Sequence, residues 1–132
     1  MMDRKGSFKR IGEGPGRHST LAPVAWLPGQ RPLCDGMMPC GREYYRDQTG
    51  RLSSGLCQCD AGTVEIANSP NERLYFIVHG VLRITDAAGC SESFGAGECV
   101  AIPKGFTGLW SHSDKFAAYY ISLRDTDCGD AS

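Results

Sequence analysis

Apolar residues along the chain fall in short runs that alternate with polar residues, and turn-forming residues separate the runs. Residues 43–59 alternate on both sides of the segment Asp-Gln-Thr-Gly, which predicts a β-hairpin. Further strands are predicted at 63–67, at 74–85 with a pivot at Gly80, and at 91–94, 99–102, 109–113 and 116–123. About nine strands at spacings of roughly 8–12 residues are typical of a β-sandwich or β-barrel. The predicted fold class is therefore all-β.

The composition supports many turns within one domain. Seventeen glycines and seven prolines among 132 residues favour short strands over long helices. A chain of this length builds one hydrophobic core, which we place at residues 21–123. Residues 1–20 carry basic side chains among glycines and are predicted to be a flexible arm, and residues 124–132 form an acidic tail.

Charge and hydropathy exclude several classes of partner. The chain has 14 Lys and Arg residues against 15 Asp and Glu residues, so no large positive field attracts nucleic acid or anionic lipid. No segment has the length of a transmembrane helix, and the first residues lack the apolar core of a signal peptide. We expect a cytoplasmic protein that binds neither nucleic acid nor membrane.

Glycine and proline are concentrated in the segment between the strands at 91–94 and 109–113. Gly97 permits a tight turn with positive φ, Pro103 ends a strand, and Gly105 lets the chain enter the opposite sheet. This corner aims positions 108, 110 and 112 at the interior of the barrel, because alternate residues of a strand share one face.

The spacing of these residues resembles that of the cupin superfamily. Gly97, five residues, Pro103, Lys104 and Gly105 reproduce the start of the second cupin motif, and "LYFIVH" supplies the six residues before the glycine that ends the first, Gly80. The segments "PKGFTGLW" and "TDAAG" are similar to the ureidoglycine aminohydrolase-like, or cupin-3, subgroup. The resemblance implies a single RmlC-like jelly-roll β-barrel, and small cupins are commonly homodimers.

The same resemblance locates four metal-ligand positions. This chain has lost their donor types, apart from the weak option of Asn68 or Ser69 and a Glu72 that stands one residue from the glutamate position. The paired histidines fall on Ile66 and Asn68, or on Ala67 and Ser69. The glutamate falls on Arg73, and the remaining histidine falls on Gly108. Because a transition metal needs several nitrogen or oxygen donors, we expect no metal cofactor.

Four side chains are candidates for a ligand pocket in place of the metal. Arg73 and Tyr75 share one strand face, where a guanidinium could bind a carboxylate. Trp110 and His112 share a face of another strand beside a hole left by Gly108.

Each candidate has a structural alternative. Trp110 could simply fill the barrel, Arg73 could reach solvent or pair with Glu72, and His112 could be a core residue. His79 has the same parity as Tyr75 but precedes a turn, so it is a weaker candidate.

Seven cysteines, an odd number, suit reduced thiols better than a disulfide framework. Cys57 and Cys59 lie on one strand face, where Cys90 or Cys99 could add a zinc ligand. Buried thiols acting as small hydrophobic groups are the alternative.

Three functions remain open from the sequence, and no catalytic residue can be assigned. The first is a metal-free cupin that binds a small polar or anionic metabolite. The second is an enzyme of the ureidoglycine aminohydrolase or sugar-isomerase kind, using a metal or using His112 with Tyr75, Tyr119 or Tyr120. The third is a structural or regulatory barrel with a filled interior.

We expect the chain to form a homodimer. Residues 19–29 could add a strand to the sheet edge of the neighbouring chain, or they could pack on their own barrel.

Overall fold

The computed structural model describes residues 21–24, 26–27, 29–34, 37, 39–113 and 115–124. The basic arm predicted at 1–20 lies outside the described residues, as does the acidic tail beyond Arg124. Within the described part the regular structure is all strand, and no helix there is long and apolar enough to cross a membrane.

Eleven strands follow one another along the described chain. They are β1 (Ala22–Pro23), β2 (Gln30–Pro32), β3 (Cys40–Arg46), β4 (Leu52–Cys59), β5 (Gly62–Ile66), β6 (Glu72–His79), β7 (Leu82–Asp86), β8 (Ser91–Phe94), β9 (Cys99–Ile102), β10 (Gly108–His112) and β11 (Phe116–Leu123). The nine strands predicted from the alternation correspond to β3–β11. Strand β2 was not predicted, because it is too brief to show alternation. Strand β1 lies in the segment 19–29, which was considered as an amino-terminal strand.

The strands form two antiparallel sheets that face each other. The six-stranded sheet has the order β1-β3-β4-β11-β6-β9, and the five-stranded sheet has the order β2-β5-β10-β7-β8. Consecutive strands often change sheet, as in a jelly roll. The predicted all-β jelly-roll fold is therefore confirmed.

The core lies between the two sheets. Across the five-stranded sheet, Val64, Trp110 and Ile84 stand opposite one another on adjacent strands, and all three are buried. Tyr75 and Ile77 of the six-stranded sheet are buried in the same cluster. Rows of directly opposed residues share a face, so the inward row of each sheet builds one wall of the interior.

The glycine and proline corner carries the chain from one sheet to the other. Strand β9 of the six-stranded sheet ends at Ile102, and β10 of the five-stranded sheet begins at Gly108. Between them the Phe106 N–H donates to the Pro103 carbonyl at 3.1 Å, with Gly105 at φ 88°. A positive φ at the third residue of such a turn favours glycine. Gly80 and Gly97 also lie at turns with φ of 90°.

A β-bulge interrupts the alternation of β6. Ile77 stands opposite Ala118, and His79 stands opposite the next residue, Ala117, so β6 carries one extra residue there. His79 is exposed as a result. Parity alone, which placed His79 on the inward face with Tyr75, is therefore wrong here, whereas its expected exposure before the turn glycine agrees with the structure.

The segment before the barrel packs on its own chain. Strand β1 pairs with β3, the Val24 N–H donates to the Pro39 carbonyl at 2.9 Å, and Trp26 packs against the core cluster. The described part of residues 19–29 thus packs on its own barrel, and the arrangement with a neighbour's sheet edge stays a prediction.

Candidate ligand cavity

A cavity of about 320 Å³ lies between the two sheets. The six-stranded sheet contributes Cys57, Arg73, Tyr75 and Tyr120 to its lining, the five-stranded sheet contributes Trp110 and His112, and Trp26 closes it from the amino-terminal segment. All four pocket candidates from the sequence therefore line one cavity, although they come from two different sheets.

Arg73 is a partly buried cation held by two tyrosines. Its Nη1–H donates to the Tyr75 hydroxyl at 2.8 Å, and its guanidinium carbon lies 4.8 Å from the centroid of the Tyr120 ring. The Arg73 Nε–H is buried without an acceptor, and the described residues provide no carboxylate that pairs with this guanidinium. The alternative of a pair with Glu72 is wrong, because Glu72 is exposed on the other face of β6.

Tyr120 reaches Arg73 because a glycine stands opposite it. Tyr120 lies between Tyr75 on β6 and Gly55 on β4 in one cross-strand row. A Cβ at Gly55 would stand 2.8 Å from the Tyr120 hydroxyl and would also overlap the Arg42 carbonyl oxygen. The absence of a side chain at Gly55 therefore makes room for the tyrosine that stacks on Arg73.

Trp110 both fills the barrel and walls the cavity. Its side chain is 8% exposed and meets the Tyr75 ring edge to face, with centroids 4.7 Å apart. It meets the Phe116 ring in the same way at 5.9 Å. Edge-to-face contacts of this kind hold a large ring in one orientation. The indole is therefore a rigid wall beside the open volume.

His112 is a neutral side chain at the cavity. Its ring stacks on Phe116 with centroids 5.1 Å apart, and its Nδ1 is buried without a hydrogen-bond partner. Burial lowers the pKa of His112, and hydrogen bonding to the Asp60 backbone opposes this effect without overcoming it. A neutral imidazole fits a core residue that also contributes to the cavity surface.

The other ionisable groups around Arg73 are uncharged near neutral pH. Burial raises the pKa of Tyr75 to about 12 and that of Cys57 to about 11, and the nearby Arg73 charge offsets only part of each shift. Burial also raises the pKa of Tyr120. The guanidinium therefore stands among neutral hydroxyl and thiol groups.

Two further charged residues border the cavity, and both are exposed on β3. Glu43 accepts from the Arg46 guanidinium at 2.6 Å, so its charge is already balanced. Arg42 lies over the Tyr44 ring at 5.4 Å. Exposed charges are screened by water, so Arg73 remains the charge that a buried ligand meets most strongly.

The residues present do not fit a cupin metal. At Gly108 there is no hole: a Cβ would overlap the Thr85 carbonyl oxygen and stand 2.8 Å from the Phe106 ring, so a histidine could not stand there without movement. The prediction of a hole at Gly108 is therefore wrong. Asn68 is exposed, and the buried Ser69 donates its hydroxyl to the Asn71 carbonyl. Across the described residues, no group of three or more His, Cys, Asp or Glu side chains is placed to hold a metal.

The cysteines divide into two groups. Cys40, Cys57 and Cys59 line the cavity, whereas Cys34, Cys90 and Cys99 are exposed elsewhere. Five cysteines in the described part are free thiols, namely Cys34, Cys57, Cys59, Cys90 and Cys99, and Cys128 lies outside that part. The placement of Cys57 and Cys59 agrees with thiols acting as small core groups, and Cys90 and Cys99 do not join them as zinc ligands.

Sequence reasoning did not place Trp26 or Phe116 in the cavity, and it named Tyr120 only as one of three tyrosines for acid and base catalysis. The role of Tyr120 could have been found from the alternation of Ala118, Tyr120 and Ser122, which share the inward face of β11. Its neighbour Tyr119, which was considered with it, stands opposite Phe76 on the outer face. Trp26 follows no periodic pattern, so no signal in the sequence placed it in the cavity.

Several solved structures share this fold. The EutQ protein of Clostridium difficile gives a TM-score of 0.59 at 20% identity, over 67% of this chain and 70% of that protein. A DUF861-family protein of unknown function from Pseudomonas syringae pv. tomato gives 0.68 at 15% identity, over 80% of this chain and 45% of that protein. The cupin domain of Schizosaccharomyces pombe Cnp3 gives 0.56 at 12% identity, over 66% of this chain and 65% of that domain.

At these identities the solved structures establish the fold and leave the ligand open. A search of curated protein sequences finds no match. The sequence model of the EutQ-like cupin domain matches residues 46–120, which is more than half of the chain. The resemblance to cupins is therefore confirmed, while the narrower likeness to ureidoglycine aminohydrolases stays a prediction. By its sequence match and its jelly-roll fold, the chain belongs to the EutQ-like cupin family.

Proposed function

We propose that this cupin binds a small anionic metabolite in its barrel without a metal, with Arg73 as the residue that recognises the anion. One observation carries the proposal: a partly buried guanidinium faces a cavity of about 320 Å³ and has no carboxylate partner in the described chain. No catalytic step is assigned.

The physical argument concerns the cost of a buried cation. A charge removed from water is costly unless another group pairs with it. Tyr75 and Tyr120 lower this cost through one hydrogen bond and a ring contact, but neither supplies a negative charge. A bound carboxylate would supply that charge and accept hydrogen bonds from the guanidinium. Arg73 also stands where the cupin resemblance has a metal-binding glutamate, so its cation replaces the metal as the anion's partner.

Two measurements test the proposal. Metal analysis of the purified protein should find far less than one transition metal per chain, and about one per chain would contradict the metal-free part. Binding of small carboxylates, measured by calorimetry, should weaken in Arg73→Ala. Equal binding by Arg73→Ala and by the unchanged protein would remove Arg73 from the site.

The alternative of acid and base catalysis has weaker support. A general acid or base works best when its pKa lies near the operating pH. Burial instead moves the pKa of Tyr75 to about 12 and lowers that of His112. The alternative of a filled barrel is also less well supported, because the interior retains a cavity beside Trp110. A cytoplasmic location without nucleic-acid or membrane partners remains part of the proposal.

We also propose a homodimer formed through the outer face of β6. Leu74, Phe76 and Val78 are 43%, 45% and 43% exposed there. These three side chains carry no charge, so a second copy of the same face matches them better than a charged partner does. Light scattering should give the mass of two chains for the unchanged protein and of one chain for Phe76→Asp.

The control for the dimer is Leu109→Asp, which changes an exposed apolar residue on the other sheet. This variant should stay dimeric. A single-chain mass for the unchanged protein at all concentrations, or a dimer that survives Phe76→Asp, would contradict the proposed face.

A further inference from the structure

We infer that the ligand is a monocarboxylate with a flat, mainly apolar body, and that the cavity excludes dianions and hydroxyl-rich anions. This inference rests on the proposed function, since it specifies which anion the Arg73 cavity accepts. Three features of the cavity carry it: its charge, its walls and the unpaired Nε–H of its guanidinium.

The charge of the interior matches one negative charge. Arg73 is the cation there, and Cys57, Tyr75, Tyr120 and His112 around it are neutral near pH 7, since burial shifts the pKa of each group away from its charged form. A single negative charge on the ligand would balance the guanidinium. A second one would be buried without a partner, which is the arrangement that proteins avoid most strongly.

The walls favour an unsaturated ring over a polyol. Five aromatic side chains line the volume, together with the polar side chains of Gln30 and Gln58: Trp26, Tyr75, Trp110, Phe116 and Tyr120. Flat apolar groups stack on such rings, whereas every hydroxyl of a sugar acid needs its own hydrogen-bond partner, and polar groups are the minority of this lining. A volume of about 320 Å³ is at the small end of the range of roughly 300–1,000 Å³ for ligand sites, so the body is small.

The guanidinium presents one edge to a carboxylate. Its Nη1–H already donates to the Tyr75 hydroxyl at 2.8 Å, while its Nε–H has no acceptor. The edge formed by Nε and Nη2 has the two parallel donors that a carboxylate accepts in bidentate fashion. Tyr75 therefore holds the guanidinium at Nη1, and a carboxylate bound at the other edge would supply the acceptor that Nε lacks.

Calorimetry with defined probes tests the inference on the full chain at pH 7.5. The probes are benzoate, its neutral analogue benzamide, acetate without a ring, and glucuronate as a hydroxyl-rich monoanion. Phthalate and monomethyl phthalate form a matched pair that differs by one charge at similar size. We expect benzoate to bind at least about tenfold more tightly than benzamide, acetate or glucuronate. Monomethyl phthalate should likewise bind more tightly than phthalate.

A variant without the Arg73 charge tests whether that residue causes the preference for benzoate over benzamide. Arg73→Met keeps an apolar stem and should abolish the preference for benzoate over benzamide. The control Arg31→Met removes an exposed arginine that pairs with Glu65, and it should keep the preference. Because the probe comparisons are made on the unchanged protein, they remain decisive even if Arg73→Met fails to fold.

The outcomes separate the inference from the proposed function. If glucuronate binds as tightly as benzoate, or phthalate as tightly as monomethyl phthalate, and this binding depends on Arg73, the inferred ligand class is wrong. The proposal that the cavity binds an anion would then still stand. If no probe anion binds in an Arg73-dependent way, both are wrong. Preference for the ring monocarboxylates, lost in Arg73→Met alone, supports both.

Discussion

The two faces of β6 each carry an exception to the usual arrangement of polar and apolar side chains. The inward face carries Arg73 beside Tyr75, and the outward face carries Leu74, Phe76 and Val78. Adjacent residues of one strand thus place a cation in the interior and large apolar groups on the surface. Alternation along the strand is intact up to the bulge, so both exceptions lie on a regular stretch of strand.

The two exceptions lie where the proposed ligand and the proposed second chain would bind. A charged group inside costs free energy unless a partner balances it, and a contiguous apolar surface outside is typical of an interface. Each face departs from the ordinary pattern in the direction that a bound partner would correct. We therefore connect the inner face with a small anion and the outer face with a second chain.

The largest expected contrast between the faces is in packing. Tyr75 is 4% exposed and Phe76 is 45% exposed, although they are neighbours in the sequence. Tyr75→Ala should lower the free energy of unfolding by about 3–5 kcal/mol, whereas Phe76→Ala should lower it by less than about 1 kcal/mol in the monomer. Urea denaturation at low protein concentration measures both.

Tyr75→Phe is the control for this pair, because it keeps the ring and removes only the hydroxyl that accepts from Arg73. It should cost much less than Tyr75→Ala. Equal losses for Tyr75→Ala and Phe76→Ala would show that the two faces are not distinguished by burial.

A second change sharpens the contrast by removing the inner charge. Arg73→Met should raise the free energy of unfolding by about 1–4 kcal/mol, because a well-packed apolar residue replaces a buried cation that lacks a counter-charge. Arg83→Met, at an exposed position of β7, should leave stability within about 0.5 kcal/mol. A large loss of stability in Arg73→Met would mean that its contacts with the two tyrosines outweigh the cost of its burial.

A third change acts on Tyr120, the ring that lies against Arg73. Gly55→Ala should cost about 1–3 kcal/mol, since the new Cβ would press on the Tyr120 hydroxyl and overlap the Arg42 carbonyl. Combining it with Tyr120→Phe removes the first of these contacts, so the double variant should lose less than the sum of the single variants. Thermal unfolding of the four proteins gives the coupling.

Gly95→Ala is the control for Gly55→Ala, because the nearest atom to a Cβ at Gly95 is a Glu98 carboxylate oxygen 3.9 Å away. Its cost should be small. Strict additivity of Gly55→Ala and Tyr120→Phe would argue against contact between those two positions.

The smallest expected effect concerns pH. Burial lowers the pKa of His112, so the folded state holds it neutral while the unfolded chain binds a proton near pH 6.5. This contribution to stability is present above that pH and is lost as the pH falls towards the folded pKa, with a slope of at most about 1.4 kcal/mol per pH unit. Urea denaturation between pH 7.5 and 5 should show the loss, and His112→Asn should reduce it.

The exposed His79 provides the comparison for this measurement. His79→Asn should leave the pH dependence of stability unchanged. If His112→Asn had the same pH dependence as the unchanged protein, burial of His112 would not contribute to it.

Much of the fold follows from local patterns that the sequence carries. Strands β3–β11 were predicted because alternation and turn residues are read over a few positions at a time. The corner at Pro103 and Gly105 was predicted because a positive φ and a missing N–H act locally. Parity along a strand also placed Arg73 with Tyr75, and Trp110 with His112.

The sequence by itself thus determined the strands, their turns and the face that each candidate shares with its neighbours. Only the tertiary structure decided which residues meet across strands. The bulge exposed His79, the backbone of β7 and the Phe106 ring closed the space at Gly108, and Gly55 admitted Tyr120 to Arg73. These outcomes depend on contacts between residues far apart in the chain, whose pairing and spacing no local pattern encodes.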